Sequence, residues 1–471
     1  MIKITWMLLI VLSFNLSAND RITMDEKAKE ELEKLNFFYK GRGMIISPDL
    51  INMYEIIKKT GVGLSTNGIL NKRWGLNLLD KKVKGLYNVP YKNMNMGVLG
   101  CVACHSGRAA GQWIIGLGNK NIDVGQVGKD AYLAELIWGM APRPNKPEFR
   151  EIHNRALEFT KILKNDNINN LSQGLVPTSL VKTWFYEVQQ VEIPKKFGRG
   201  QVKVPHLWGY GKKRQSGSFW DGFADGVLPG WAVAVELRGG QSVENVREYV
   251  DKVHHAEDLL SDLLPPKYPF EVKEDSAQRG KEFFNNTCFK CHGTHERDSD
   301  NLPIYKKSKL IPWRVVRTDF ERLEFVTPEF LELIDSGPLN DLMKYKRREG
   351  KGKGYIAPRL WGIWSRFPYL HNASVPTLHD LLSPASMRPV VFNLFRAGES
   401  DRYDTNRFGL KVNRDKSSKS YLKLLKKGQK GKRSIYYTKR DGHSNQGHEF
   451  GFYKDITPQV RRDLIEYLKT L

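Results

Sequence analysis

Apolar residues recur at three- and four-residue spacing at the end of the chain, where Val460, Leu464, Tyr467, Leu468 and Leu471 share one stripe. That period buries one face of a helix, and Thr457-Pro458 in front of it offers an N-cap hydroxyl and a first-turn proline. A shorter helical pattern runs from Ser276 to Phe284, with Phe283 and Phe284 on its apolar side, and leads into Cys288. Met24 to Tyr39, rich in Glu and Lys, predicts a third helix. Irregular stretches punctuated by glycine and proline separate these segments, so the pattern predicts a mainly α chain with large loop insertions and few strands. Ile4 to Phe14 is different, an apolar run broken only by Thr5 and Ser13, behind Lys3 and ahead of Leu16-Ser17-Ala18. It has the form of a cleavable secretory signal over residues 1–18 and is too short to span a bilayer comfortably. No cysteine stands near the cleavage point, which disfavours a lipid anchor.

All four cysteines lie in two copies of one pentapeptide, Cys101-Val102-Ala103-Cys104-His105 and Cys288-Phe289-Lys290-Cys291-His292. In C-x-x-C-H the two thiols can add to the vinyl groups of haem, and the histidine then reaches the iron. A lone C-x-x-C could be half a zinc site, but each copy here has its own histidine and no other cysteine exists. The motifs therefore predict two covalently bound haem c groups, on Cys101, Cys104, His105 and on Cys288, Cys291, His292.

A second repeat follows the first. Pro205-His206-Leu207-Trp208-Gly209 recurs as Pro358-Arg359-Leu360-Trp361-Gly362, each downstream of its own haem motif. Two matches in the same order predict two tandem haem-binding units. Pro265, Pro266 and Pro269 mark a linker between them, which divides the chain into residues 19–264 and 265–471. His206, whose counterpart is Arg359, is a candidate for the pocket of the first haem, while Arg359 could pair with a haem propionate.

The formal net charge is +23. Such a field favours acidic partners and anionic surfaces at low salt. The charge is spread broadly with no nucleic-acid motif, so nucleic acid is not an expected partner. The densest run, Lys411 to Arg440, has twelve basic residues against Asp415 alone and reads as a solvated surface excursion. No other segment is long and apolar enough to cross a membrane once the signal is removed.

The order C-x-x-C-H, P-x-L-W, F-W-D-G, C-x-x-C-H, P-x-L-W, P-Y-L-H-N resembles the bacterial dihaem cytochrome c peroxidase superfamily. Pro368 to Leu378 and Ser444 to Gly451 are most similar to its rubber-oxygenase-like branch. The resemblance implies two class I cytochrome c-like domains, assembled in the periplasm. It implies an oxidoreductase that activates peroxide or dioxygen at the first haem, with electrons relayed through the second from a redox partner protein or a small-molecule donor. A dihaem electron carrier without substrate chemistry is the alternative.

The resemblance also assigns residues. His105 and His292 are the proximal ligands, and Trp220 in F-W-D-G matches the tryptophan that conducts electrons between the haems. His448 matches the sixth ligand of the second iron in the rubber-oxygenase-like branch, whereas Met387 lies near the methionine used in the peroxidases. The peroxidases place a catalytic glutamate about twenty residues after F-W-D-G; this chain has Gly240 there, and Glu236 is the nearest acid. The missing glutamate puts classical peroxidase activity in question, leaving Glu236 and His206 as acid/base candidates.

Overall fold

The structure, a computed structural model, describes residues 18–35, 45–46, 66–91, 94–130, 171–192, 198–208, 220, 242–293, 295–297, 303–304, 310–325, 327–342, 353–394 and 402–471. The signal-like residues 1–17 and Glu236 lie outside them.

The three helices foreseen from the apolar pattern are present with altered ends. The first is Ala18–Lys34, earlier than its expected position; residues 36–39 lie outside the described set. It packs on the Val243–Asp262 helix, and its buried Asp25 accepts from the Leu264 amide at 2.8 Å. The other two, Glu274–Asn286 and Pro458–Lys469, pack against each other. Thr457 caps the latter by accepting from the Val460 amide, with Pro458 in the first turn, and Leu464, Tyr467, Leu468 and Leu471 are buried.

This crossing is close because Gly280 has no side chain. A Cβ there would stand 2.0 Å from the Asp463 carbonyl oxygen. Beside it, Arg279 and Ser276 both hydrogen-bond the Asp463 carboxylate, and the Lys273 amide donates to Glu466 at 3.0 Å.

Strands are more numerous than the apolar pattern foretold. The described residues contain one three-stranded antiparallel sheet, Ile45–Ile46, Met94–Leu99 and Leu86–Tyr91, and seven two-stranded ribbons. Most strands have two to four residues, below the length at which alternation can be read. One ribbon matters for the site. Ser106–Ala109 pairs with Gln112–Ile115 directly after the first C-x-x-C-H, closed by Ala110 at φ 51° and Gly111 at φ 82°. Two left-handed residues match the twist of a tight hairpin.

Buried residues from Leu32 to Leu471 form one hydrophobic cluster that draws on both halves of the chain. The proline segment after Asp262 is packed rather than loose: the Trp364 indole donates to the Pro266 carbonyl at 3.1 Å, and Tyr268 meets Trp364 edge-on at 5.5 Å. The repeats also touch. Gly362, at φ 60°, lies against Trp208, whose ring would be 2.8 Å from a Cβ at that position. The basic run 411–440 contains the Lys419–Gln429 helix. Its Tyr421 and Leu424 join Val391 and Ile435 in a small separate core, while Lys419, Lys423 and Lys426 face solvent.

Gly280→Ala should lower stability by about 2 kcal/mol. A contact of this kind sits at the upper end of the ~1–3 kcal/mol that overpacking costs, partly offset by the ~1 kcal/mol that alanine gains over glycine in a helix. A fall in the urea midpoint at unchanged m-value is the expected result; an unchanged midpoint would show that the two helices do not meet here.

Candidate haem sites

The Glu274–Asn286 helix delivers the second motif, whose Phe289–His292 turn places Cys288 and Cys291 one helical turn apart. His292 is half-buried, and its Nδ1 lies 2.8 Å from the Pro358 carbonyl oxygen. A carbonyl only accepts, so Nδ1 carries the proton and Nε2 keeps its lone pair.

His448 reaches the same cavity from a loop built for it. Gly447 stands at φ 80° and His448 at φ 57°. A Cβ at Gly447 would fall 2.3 Å from the Arg317 backbone, so only glycine fits this turn. The His448 amide donates to the Val316 carbonyl at 2.7 Å. The fully buried Arg388 guanidinium donates to the carbonyls of Asn445 and Gly447, and the Ser444 amide donates to Asp319. Tyr453 completes the arrangement: its hydroxyl donates to the Leu381 carbonyl at 2.6 Å and accepts from His448 Nδ1 at 2.8 Å. Burial, with His292 and Arg388 close by, pushes the His448 ring down to about 3.

The rings of His292 and His448 face each other with centres 6.2 Å apart and planes inclined by 57°. With a metal–imidazole bond of about 2.0 Å, two rings on opposite sides of one ion have centres ~6 Å apart. The walls of the surrounding cavity are mostly apolar: Phe284, Ile356, Leu360, Leu382, Leu464 and Leu468 among them, with Cys288 and Cys291 also in the lining. Two thiols, two oriented imidazoles and an apolar chamber fit a haem c with two protein ligands.

The first motif is prepared in the same way. His105 is half-buried, its Nδ1 lies 3.0 Å from the Pro205 carbonyl oxygen, and desolvation pushes the ring down to about 4. The following hairpin fixes it: Gly116 donates to the His105 carbonyl, Leu207 donates to Gly116, and buried Asn119 ties Ala103 to Gly75. The repeated P-x-L-W-G thus acquires a physical meaning, since each proline carbonyl orients one C-x-x-C-H histidine. The residue after the proline covers the tryptophan two positions on: His206 stacks on Trp208 at 5.3 Å, and the Arg359 guanidinium lies 5.7 Å from the Trp361 ring centre. His206 is therefore placed beside the carbonyl that holds His105.

Trp220 lines the chamber of His292 and His448 and also a smaller recess walled by Asn119, Pro205 and His206; Cys101, Cys104 and His105 line neither of the two. The Trp220 carbonyl accepts from Ile356 at 2.9 Å, while its buried indole N–H finds no acceptor among the described residues. Met387 is 69% exposed and is not among the residues that line either cavity; its neighbour Arg388 turns inward instead. His379 accepts from Arg407. The sequence reading did not identify Tyr453, Arg388 or Lys203, because no short motif announces an acceptor five residues beyond a ligand or a cation that braces a distant loop.

Residues 354–393 match the RoxA-like, cytochrome c-like family model. This segment runs from the Gly354–Ile356 strand through Pro358 and His371 to Arg388, and much of it lines the larger cavity. A cytochrome c-like segment implies haem c, in agreement with the geometry around it. Two curated relatives are similar to the chain, both uncharacterized proteins of Sinorhizobium fredii (strain NBRC 101917 / NGR234). y4iM is 30% identical over 247 residues, 45% of this chain and 52% of the relative; y4iJ is 37% identical over 124 residues, 25% of this chain and 18% of the relative. The chain thus spans about half the length of the first and under a fifth of the second.

Replacing Arg388 with Met should remove the donors that hold the Asn445 and Gly447 carbonyls and cost about 3 kcal/mol. Hydrogen exchange at residues 445–448 should accelerate in step, and unaltered protection there would refute the bracing role. A second expectation concerns acid. His371, stacked 4.3 Å from Tyr355, and His443, accepting from Ser172 at 2.9 Å, are buried rings pushed down to about 3 by desolvation. In the unfolded chain histidines titrate near 6.5, so between these values the unfolded state binds more protons. Stability should therefore fall as pH drops from about 6.5 towards 3, by about 1 kcal/mol per pH unit for each ring. Denaturant melts at pH 7, 6 and 5 measure the slope, which His443→Gln should reduce.

Proposed function

We propose that this chain is an exported dihaem c-type cytochrome oxidoreductase of the rubber-oxygenase-like kind, acting on peroxide or dioxygen. The observation that carries the reading is the pair of facing imidazoles, His292 and His448, across an apolar chamber that also holds Cys288 and Cys291. His105, oriented in the same way by Pro205, would hold the first haem with Cys101 and Cys104.

Haem c, when bound, supplies the redox-active iron. The protein's own residues do the rest. His292 and His448 would both hold the haem at the second site, which would leave no position for a substrate and would suit it to electron storage. The first site has one oriented histidine among the described residues and is the site assigned to substrate. Trp220, in the wall common to both cavities, offers an indole through which electrons pass between them. Glu236 and the buried, neutral His206 are the candidates for moving a proton at the first site. The cationic surface favours an acidic electron-donor protein. No helix among the described residues is long and apolar enough to cross a membrane, and the signal-like start directs the chain to the periplasm.

The test is a haem assay followed by carbon monoxide titration of the reduced, full-length protein. The expected result is two haems per chain and one carbon monoxide bound. His448→Ala should raise the bound carbon monoxide from about one to about two per chain by opening the second iron. Absence of any perturbation of the Soret band by carbon monoxide or peroxide would leave an electron carrier with two closed irons.

A further inference from the structure

Three residues belong to the walls of both cavities: Lys203, Trp220 and Arg366. Two are cations in a place where cations are expensive. Lys203 sits on the Val202–Lys203 strand, with its amide bonded to the His371 carbonyl at 2.8 Å. Its Nζ donates to the carbonyls of Arg366 at 2.7 Å and Pro368 at 2.8 Å, and lies 5.8 Å from the ring centres of both Trp220 and Tyr369. Arg366, 5% exposed, donates to the carbonyls of Arg359 and Trp361, and Lys120 donates to Ser365 at 3.0 Å. Desolvation, with the positive charges of Arg366 and Lys120 close by, pushes the Lys203 ammonium well below the usual lysine range. Among the described residues no carboxylate lies within ion-pair reach of it.

Carbonyl oxygens and ring faces compensate a buried ammonium only in part; a buried charge ordinarily meets an opposite one. An anion that enters with something placed in the cavities would supply the missing partner and keep the lysine charged. A haem brings two carboxylates on one edge, and a carboxylate accepts charge-assisted hydrogen bonds from lysine and arginine.

We propose that Lys203, backed by Arg366, binds haem propionate at the wall between the two cavities, and that its charge raises the reduction potential of the haem it serves. The inference rests on the two-haem reading above. A fixed positive charge favours the less positive ferrous state, so removing it shifts the equilibrium towards ferric iron. Lys203 is a positioning residue: it neutralises the haem edge and touches no reacting atom.

The experiment compares full-length exported protein with Lys203→Met, Lys203→Arg and Lys203→Glu, measuring haem per chain and spectroelectrochemical midpoints. In Lys203→Met the reduction equilibrium of at least one haem should fall ~tenfold, about 59 mV for one electron. Lys203→Arg should keep both midpoints and full haem content. Lys203→Glu should carry the least haem or the lowest midpoint. Unchanged midpoints in a fully loaded Lys203→Met would overturn the assignment. If Lys203→Met fails to load, a loaded Lys203→Arg upholds the demand for charge, whereas equal failure of both shows a demand for shape and sinks it. Fewer than two haems in the parent protein would instead mean that the dihaem reading is wrong.

Discussion

The arrangement depends on a backbone carbonyl accepting one hydrogen bond. An imidazole can present its Nε2 lone pair to a metal in a fixed direction only if Nδ1–H is satisfied elsewhere. Pro205 and Pro358 do this for His105 and His292, and the Tyr453 hydroxyl, itself committed to Leu381, does it for His448. Because Pro205 and Pro358 are flanked by the buried Leu207, Trp208, Leu360 and Trp361, and the Tyr453 hydroxyl is tied to Leu381, each ring is oriented by the protein itself. The apolar walls, the short hairpin after the first motif and the Gly447 turn all serve that orientation.

The parts of this plan that were legible in the sequence are those written in contiguous residues. The C-x-x-C-H motifs, the Thr457 cap and the terminal stripe needed only local chemistry. The P-x-L-W-G repeat was visible as a pattern, but its purpose was not, since the bond from Nδ1 to the proline carbonyl joins residues far apart in the chain. Arg388 was hidden for the same reason: its guanidinium, beside the exposed alternative ligand Met387, bonds the distant carbonyls of Asn445 and Gly447. Short ribbons went unread because two or three residues in extended conformation leave no period.

Lys203 illustrates a different blind spot. In the sequence it is one of 75 Lys and Arg residues, and nothing separates it from a solvated surface charge. Only burial against Trp220 and Tyr369, with carbonyls in place of carboxylates, marks it out. A large net charge therefore conceals the few cations that face inward, and the overall excess says nothing about them.

The contact between Trp208 and Gly362 has a bearing on motion. Two haem-binding units strung on a flexible linker would exchange electrons only in the fraction of time that thermal wandering brought them close. Here an indole of one repeat is seated on the glycine of the other within a continuous core, so the separation of the two repeats is set by packing. If each repeat holds a haem as proposed, electron transfer between them would be governed by driving force and reorganisation rather than by how often the halves collide.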